Sequence, residues 1–278
     1  MAAGQHIPDL KLRAASPIGV FDSGIGGLSV LRDIRRALPG EDLLYIADSG
    51  NVPYGGKSPS FIRERSRLLA EFLLEKQAKA IVVACNTATA VAAGFLRSRC
   101  ATPIVAMEPA VKPAMAATRS GVIGVLATVG TLSSARFAAL LERFCNGVQV
   151  IVQPCPGLVE CIEAGDLDGE TTCRLVAKYT EPLRAAGADV IVLGCTHYPF
   201  LRSLIASIVG PRVKLIDTGR AVARQLRRIL EANKLLTAKQ SAGIERFWTT
   251  GDLKSSQRVI AHLWGGRVEV KILPELPE

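Results

Sequence analysis

No stretch of this 278-residue chain stays apolar for the roughly 18 residues a membrane span requires. The segment 111–132 comes nearest and is broken by Lys112, Pro113 and Arg119. The N-terminus lacks a continuous apolar segment of the secretory kind, so no signal peptide is expected. There are only three histidines, and the seven cysteines include no Cys-x-x-Cys pair. Cys155 and Cys161 do not have zinc spacing either, so neither a structural metal nor a disulfide framework is expected. Reduced thiols in a cytoplasm are the simpler reading. For Cys100, Cys145, Cys155, Cys161 and Cys173 that means small core or surface residues. The lysines carry no cue for a pyridoxal Schiff base, so cofactor-free chemistry is expected.

Two phosphate motifs fail by one place each. Gly24 and Gly26 begin a dinucleotide-type turn, but Ser29 stands where the third glycine belongs. Gly56-Lys57-Ser58 ends like a P-loop, but Asn51 holds the position of its first glycine. Both turns still carry bare backbone N–H groups that suit a small anion such as a dicarboxylate.

The net charge of +9 gathers on helical faces at Arg32, Arg35 and Arg36, at Arg63, Arg65 and Arg67, and at Arg224, Arg227 and Arg228. No helix-turn-helix, zinc or aromatic-interleaved motif accompanies it, so nucleic-acid binding is expected to be weak and non-specific at most. The clusters read as a solvated outer face that also draws in an anionic substrate.

Apolar residues make up 49% of the chain, enough for a substantial core. Apolar β-formers at Ile18–Phe21, Leu43–Ala47, Ala80–Val83 and Ile104–Met107 alternate with helical patterns. One of those helices opens with Ser58 as cap and Pro59 in its first turn. The alternation continues through strands at Gly121–Ala127, Val148–Gln153, Asp189–Leu193 and Val213–Ile216. Such an order implies parallel βαβ units and an α/β fold.

The chain also echoes itself. Ala80–Thr87 reads Ala-Ile-Val-Val-Ala-Cys-Asn-Thr, and Val190–His197 reads Val-Ile-Val-Leu-Gly-Cys-Thr-His. Ile18-Gly19-Val20-Phe21-Asp22-Ser23 is matched by Ile123-Gly124-Val125-Leu126-Ala127-Thr128. Two pseudo-symmetric lobes follow, each a mostly parallel sheet flanked by helices, with the active site in the cleft between them. The first lobe is expected over 15–110 plus 220–278 and the second over 111–219, with 1–14 as a loose extension. The tail, with candidate strands at Arg246–Thr250 and Val268–Ile272, is expected to pack back onto the first lobe.

Ligands of such sheets bind beyond the carboxyl ends of the strands. Asp22, Asp48, Cys85, Thr128, Cys195 and His197 all fall there. One cysteine beside a histidine suggests acyl transfer. Two cysteines at equivalent places in facing lobes suggest proton transfer on opposite faces of one carbon. A thiolate removes a proton, a thiol returns one, and the product is the mirror image. Each cysteine precedes a helix, which is expected to lower its pKa from about 8.5. His197 can relay a proton beside Cys195, and Asp22 beside Cys85.

The blocks Phe-Asp-Ser-Gly-Ile-Gly-Gly (21–27), Ala-Asp-Ser-Gly-Asn-Val-Pro-Tyr-Gly (47–55), Ala-Cys-Asn-Thr-Ala-Thr-Ala (84–90) and Gly-Cys-Thr-His-Tyr-Pro (194–199) resemble those of the glutamate racemases. Gly157-Leu158-Val159-Glu160 and Ile216-Asp217-Thr218-Gly219 are similar to that family too. The resemblance implies a PLP-independent, cofactor-free isomerase that interconverts L- and D-glutamate in the bacterial cytoplasm and supplies D-glutamate for peptidoglycan. It implies that Cys85 handles the proton of D-glutamate and Cys195 that of L-glutamate. Asp22 and His197 would assist, with Glu160 as an accessory acid. Ser23, Pro53, Tyr54, Gly55, Asn86, Thr87, Thr128 and Thr196 would hold substrate, and a homodimer is implied. A related aspartate or hydantoin racemase would also keep two cysteines, whereas a one-cysteine decarboxylase of the same fold would not. A nucleic-acid-binding protein with a vestigial site is the reading from another class.

Overall fold

The computed structural model describes residues 13–145 and 147–275. Residues 1–12 of the expected extension lie outside the described residues, and Arg13 and Ala14 are its described part. Arg13 O accepts from Ser16 N, and the buried Lys79 ammonium donates to Ala14 O.

The first lobe begins with β1 (Ile18–Asp22), α1 (Leu28–Ala37), β2 (Leu43–Ala47), α2 (Pro59–Glu75), β3 (Ala80–Val83), α3 (Asn86–Arg97) and β4 (Ile104–Ala106). Ser58 caps α2 by accepting from Phe61 N, and Pro59 fills its first turn, where no N–H is needed. The chain then crosses through α4 (Val111–Ala117) to β5 (Val122–Ala127), α5 (Val129–Leu132), α6 (Ala135–Phe144) and β6 (Gln149–Pro154). It continues through α7 (Leu158–Glu163), α8 (Glu170–Ala185), β7 (Val190–Leu193), α9 (Arg202–Val209) and β8 (Lys214–Ile216). Helix α10 (Gly219–Ala232) returns to pack on α1. The tail supplies β9 (Glu245–Thr249), α11 (Leu253–Trp264) and β10 (Val270–Ile272).

All pairings among these strands are parallel. The first sheet runs β10-β9-β2-β1-β3-β4 and the second β6-β5-β7-β8. Position for position, β2-β1-β3-β4 therefore repeats as β6-β5-β7-β8. The tail extends only the first sheet, by adding β9 beside β2.

Register carries the echo into space. Ile18 pairs with Ala80 and Ile123 with Val190, so each cysteine follows its paired residue at the same distance along the chain. Gly19 and Gly124 occupy matching places and serve the same packing need. A Cβ there would lie 2.9 Å from Leu73 Cδ1 of α2 and 2.6 Å from Leu183 Cδ1 of α8, respectively. Each glycine lets a helix leucine settle on the centre of its sheet. Every residue of β1, β2, β3 and β7 is buried, as central parallel strands require. No helix among the described residues is long and apolar enough to cross a membrane.

Candidate active site

The exits of β1, β3, β5 and β7 meet at one small cleft. Ser23, Pro53, Tyr54, Gly55, Cys85, Asn86, Thr87, Thr128, Thr131, Val159, Cys195, Thr196 and His197 line it. Its volume is about 10 Å3, room for roughly one water molecule. Both thiols reach it, and both are almost fully buried.

On the first lobe, Cys85 is the N-cap of α3, and its Sγ accepts from Ala88 N at 3.5 Å. Its thiol donates to Ser23 Oγ at 3.5 Å. The helix N-terminus does not set its acidity. Burial pushes the thiol well up and the Asp22 carboxylate pushes it further, while Ala88 N–H and Ser23 oppose this without prevailing. The expected lowering is thus overturned in this closed cleft, because desolvation of the anion outweighs one N–H. Asp22 is wholly buried and accepts from Gly27 N at 2.7 Å and from Thr196 Oγ1 of the other lobe at 3.4 Å. Burial raises its carboxyl above the usual range, partly offset by His197 and by the Cys85 thiol.

On the second lobe, His197 Nδ1 stands 3.6 Å from Cys195 Sγ, and Nε2 stands 2.6 Å from Glu163 Oε1. Burial disfavours the charged ring, but its hydrogen bonds to Cys195 and Glu163 outweigh that and hold its pKa well above the ordinary value. Glu163 also accepts from Ile25 N at 2.7 Å and Ser49 Oγ at 3.0 Å, both on the first lobe. A single carboxylate therefore orients the histidine and ties the lobes together.

This corrects the accessory acid. Glu160 is exposed on α7, whereas Glu163 reaches the site. The helix buries Leu158, Val159 and Ile162. At about 100° per residue, Glu163 flanks that face and Glu160 points almost directly away from it. The helical wheel of 158–163 carried this signal.

The glycine turn at 24–27 has a different use from the one expected. A Cβ on Gly24 would lie 2.0 Å from Glu163 Oε1, and one on Gly26 would lie 2.3 Å from His197 Nδ1. The glycines admit side chains of the opposite lobe, and the Ile25 and Gly27 N–H groups are taken by Glu163 and Asp22. Asp48 sits at the exit of β2 but outside the cleft lining, where it accepts from the Tyr54 phenol at 2.5 Å.

Thr87 and Thr128 face each other across the cleft at 3.0 Å, and Thr131 joins them at 3.2 Å from Thr87. Thr131 and Val159 are lining residues that motif reading missed. Asn86 is different. Its buried Oδ1 and Nδ2 have no hydrogen-bond partner among the described residues, an arrangement that ordinary folding does not leave in place. Among the described lining residues there is no lysine, and no cluster of histidine, cysteine and carboxylate groups among the described residues is disposed to hold a metal ion. Hydroxyl, amide and backbone groups make up most of the lining, so a dicarboxylate would be held chiefly by these donors.

Much of the arginine charge is consumed within the fold. Arg35 pairs with Glu245 at 2.6 Å, Arg67 pairs with Glu64 and Glu71, and Arg65 pairs with Asp48 at 2.6 Å.

Residues 18–226 match the family described as Asp/Glu/Hydantoin racemase. A glutamate racemase of Ectopseudomonas mendocina is 60% identical over 261 residues, covering 94% of this chain and 99% of that protein. The crystal structure of a glutamate racemase isoform from Bacillus anthracis superposes with a TM-score of 0.86 at 33% identity, over 94% of this chain and 98% of that one. The Escherichia coli glutamate racemase, crystallised with L-glutamate and the activator UDP-MurNAc-Ala, gives 0.83 at 32%, over 94% and 99%.

Proposed function

The chain belongs to the Asp/Glu/hydantoin racemase family and is an amino-acid racemase, and on that premise we propose that it interconverts L- and D-glutamate with two opposed thiols. The observation that carries the mechanism is that Cys85 and Cys195, at matching positions of matching sheets, line one cleft.

In the L-to-D direction, the Cys195 thiolate takes the α-proton. The C–H electron pair stays on the α-carbon, delocalised into the carboxylate. The Cys85 thiol gives its proton to the opposite face, leaving a thiolate there. The protonated form that burial favours at Cys85 suits this direction. His197 exchanges a proton with Cys195, and Asp22 serves the Cys85 side. Asn86 supplies an uncommitted donor and acceptor for the substrate, with Ser23, Thr87, Thr128 and Thr196 around it. The cleft is too small for glutamate as it stands, so the lobes part to admit it. Supply of D-glutamate for peptidoglycan, a cytoplasmic location and a homodimer belong to the same proposal.

Chiral chromatography of each enantiomer with purified protein and no added PLP tests the activity. Carrying out the reaction in D2O tests the mechanism. Product should gain α-deuterium while unreacted substrate gains little early on. Cys195→Ser should lose racemisation by orders of magnitude yet still wash deuterium slowly into D-glutamate. Cys85→Ser should do so only into L-glutamate. Exchange into the same enantiomer in both variants would overturn the two-thiol assignment.

A further inference from the structure

Asp48 is wholly buried, yet it has no place in the cleft lining. Its carboxylate is instead the meeting point of four side chains. Oδ2 accepts from Tyr54 Oη at 2.5 Å and from Arg65 Nε at 3.1 Å. Oδ1 accepts from Arg65 Nη2 at 2.6 Å, Thr250 Oγ1 at 2.8 Å and Asn51 Nδ2 at 3.1 Å. The two-pronged Arg65 contact fixes the plane of the carboxylate, which a lysine could not do. Thr250, just past β9, also accepts from Gly50 N at 3.0 Å, so the tail of the chain closes the far side.

Tyr54 is the one member of this group that also forms a wall of the cleft. Its phenol is spent on Asp48, and burial together with that carboxylate keeps it protonated, hence a donor. Tyr54 therefore presents its ring and backbone to the substrate, and its placement is set from behind. Gly55, the next residue, packs on Thr128 of the other lobe, where an added Cβ would lie 3.0 Å from Thr128 Cβ. Tyr54 thus stands one residue from a contact between the lobes.

We propose that Arg65 is a positioning residue of the racemase: by clamping Asp48 it fixes Tyr54 and so shapes the substrate wall between Pro53 and Gly55. Arg65 touches no reacting atom. Its loss removes interactions common to substrate and transition state, which raises KM with little change in kcat. The proposal rests on the glutamate reading for its assay.

The test is steady-state racemisation by Arg65→Met, Arg65→Lys, Tyr54→Phe and the double variant Arg65→Met/Tyr54→Phe. Arg63→Met, an exposed arginine on the same helix, is the control. KM for both enantiomers should rise about five- to tenfold in Arg65→Met and Tyr54→Phe, with kcat within about threefold. The double variant should be no worse than the poorer single variant, since both act through one carboxylate. Arg65→Lys should fail to rescue KM, because the fork and not the charge is needed. Additive losses, an unchanged KM in Arg65→Met, or a fall in kcat at constant KM would overturn it. If Arg65→Met does not fold, Tyr54→Phe paired with Thr250→Val applies the same criterion. A substrate-free measurement separates this inference from the glutamate reading. In protein labelled with 13Cζ-tyrosine, the Tyr54 resonance should move in Arg65→Lys and stay in Arg63→Met. An unmoved resonance sinks the clamp whatever the substrate, whereas a wild type inert to glutamate sinks only the substrate assignment.

Discussion

Glu163 Oε1 lies 2.6 Å from His197 Nε2, and its partners Ile25 N and Ser49 Oγ belong to the opposite lobe. The carboxylate that tunes the histidine is therefore also a direct contact between the lobes. Glu163→Gln should lower kcat/KM about a hundredfold, the scale of a proton-transfer assistant. Glu160→Gln should stay within about twofold, because that side chain is exposed. Since Glu163 raises the His197 pKa, the His197 limb of the pH–rate profile should move to lower pH in Glu163→Gln. Equal losses in the two variants would contradict the assignment.

Asn86 should trade activity against stability. Asn86→Ala removes two buried polar atoms that have no partner among the described residues. Urea unfolding should show no loss, or a gain of up to about 1 kcal/mol. The variant should lose at least about tenfold in kcat/KM, equally for both enantiomers because their ratio is fixed by the overall equilibrium. A variant that is both fully active and less stable would mean the amide serves the fold.

His197 should give a pH-dependent share of stability. Its folded pKa is raised. The folded state thus holds a proton that the unfolded chain releases near pH 6.5. That stabilisation is complete below about pH 6.5 and fades as pH rises through the folded value. The stability difference between wild type and His197→Gln should therefore shrink from pH 6 toward alkaline pH in urea titrations. A difference that grows with pH would reverse the sign and the argument.

Lys79 and Glu41 form an ion pair at 2.5 Å with side chains 0% and 2% exposed. Breaking it from one side leaves a buried charge, so Lys79→Met should cost about 3–5 kcal/mol of stability. Lys79→Met/Glu41→Gln should recover part of that loss. Equal unfolding midpoints for wild type and Lys79→Met would show that the charges are not desolvated as the structure has them.

The strands were legible because their cause is local. Runs such as Ile18–Asp22 and Val190–Leu193 must be buried on both faces, and their boundaries fall within a residue or two of the expected ones. The internal echo was legible too, since matched strands keep matched registers. The paired thiols followed from that echo and from polar neighbours that a core would not hold. Glu163 was missed because motif matching stops at Glu160 and ignores azimuth, although the apolar face of Leu158, Val159 and Ile162 already favours Glu163.

The sequence by itself determined the parallel α/β plan, the repeat, and the placing of Cys85 and Cys195 at strand exits, because alternation and turn chemistry act over a few residues. Only the tertiary structure decided what surrounds those thiols. The rise in Cys85 pKa comes from desolvation, which sums over everything packed around the sulfur. The four-way hold on Asp48 joins Tyr54 and Arg65 to Thr250, some two hundred residues away in the chain. Long-range partners of that kind leave no periodicity behind, since what selects them is the packing of the finished fold.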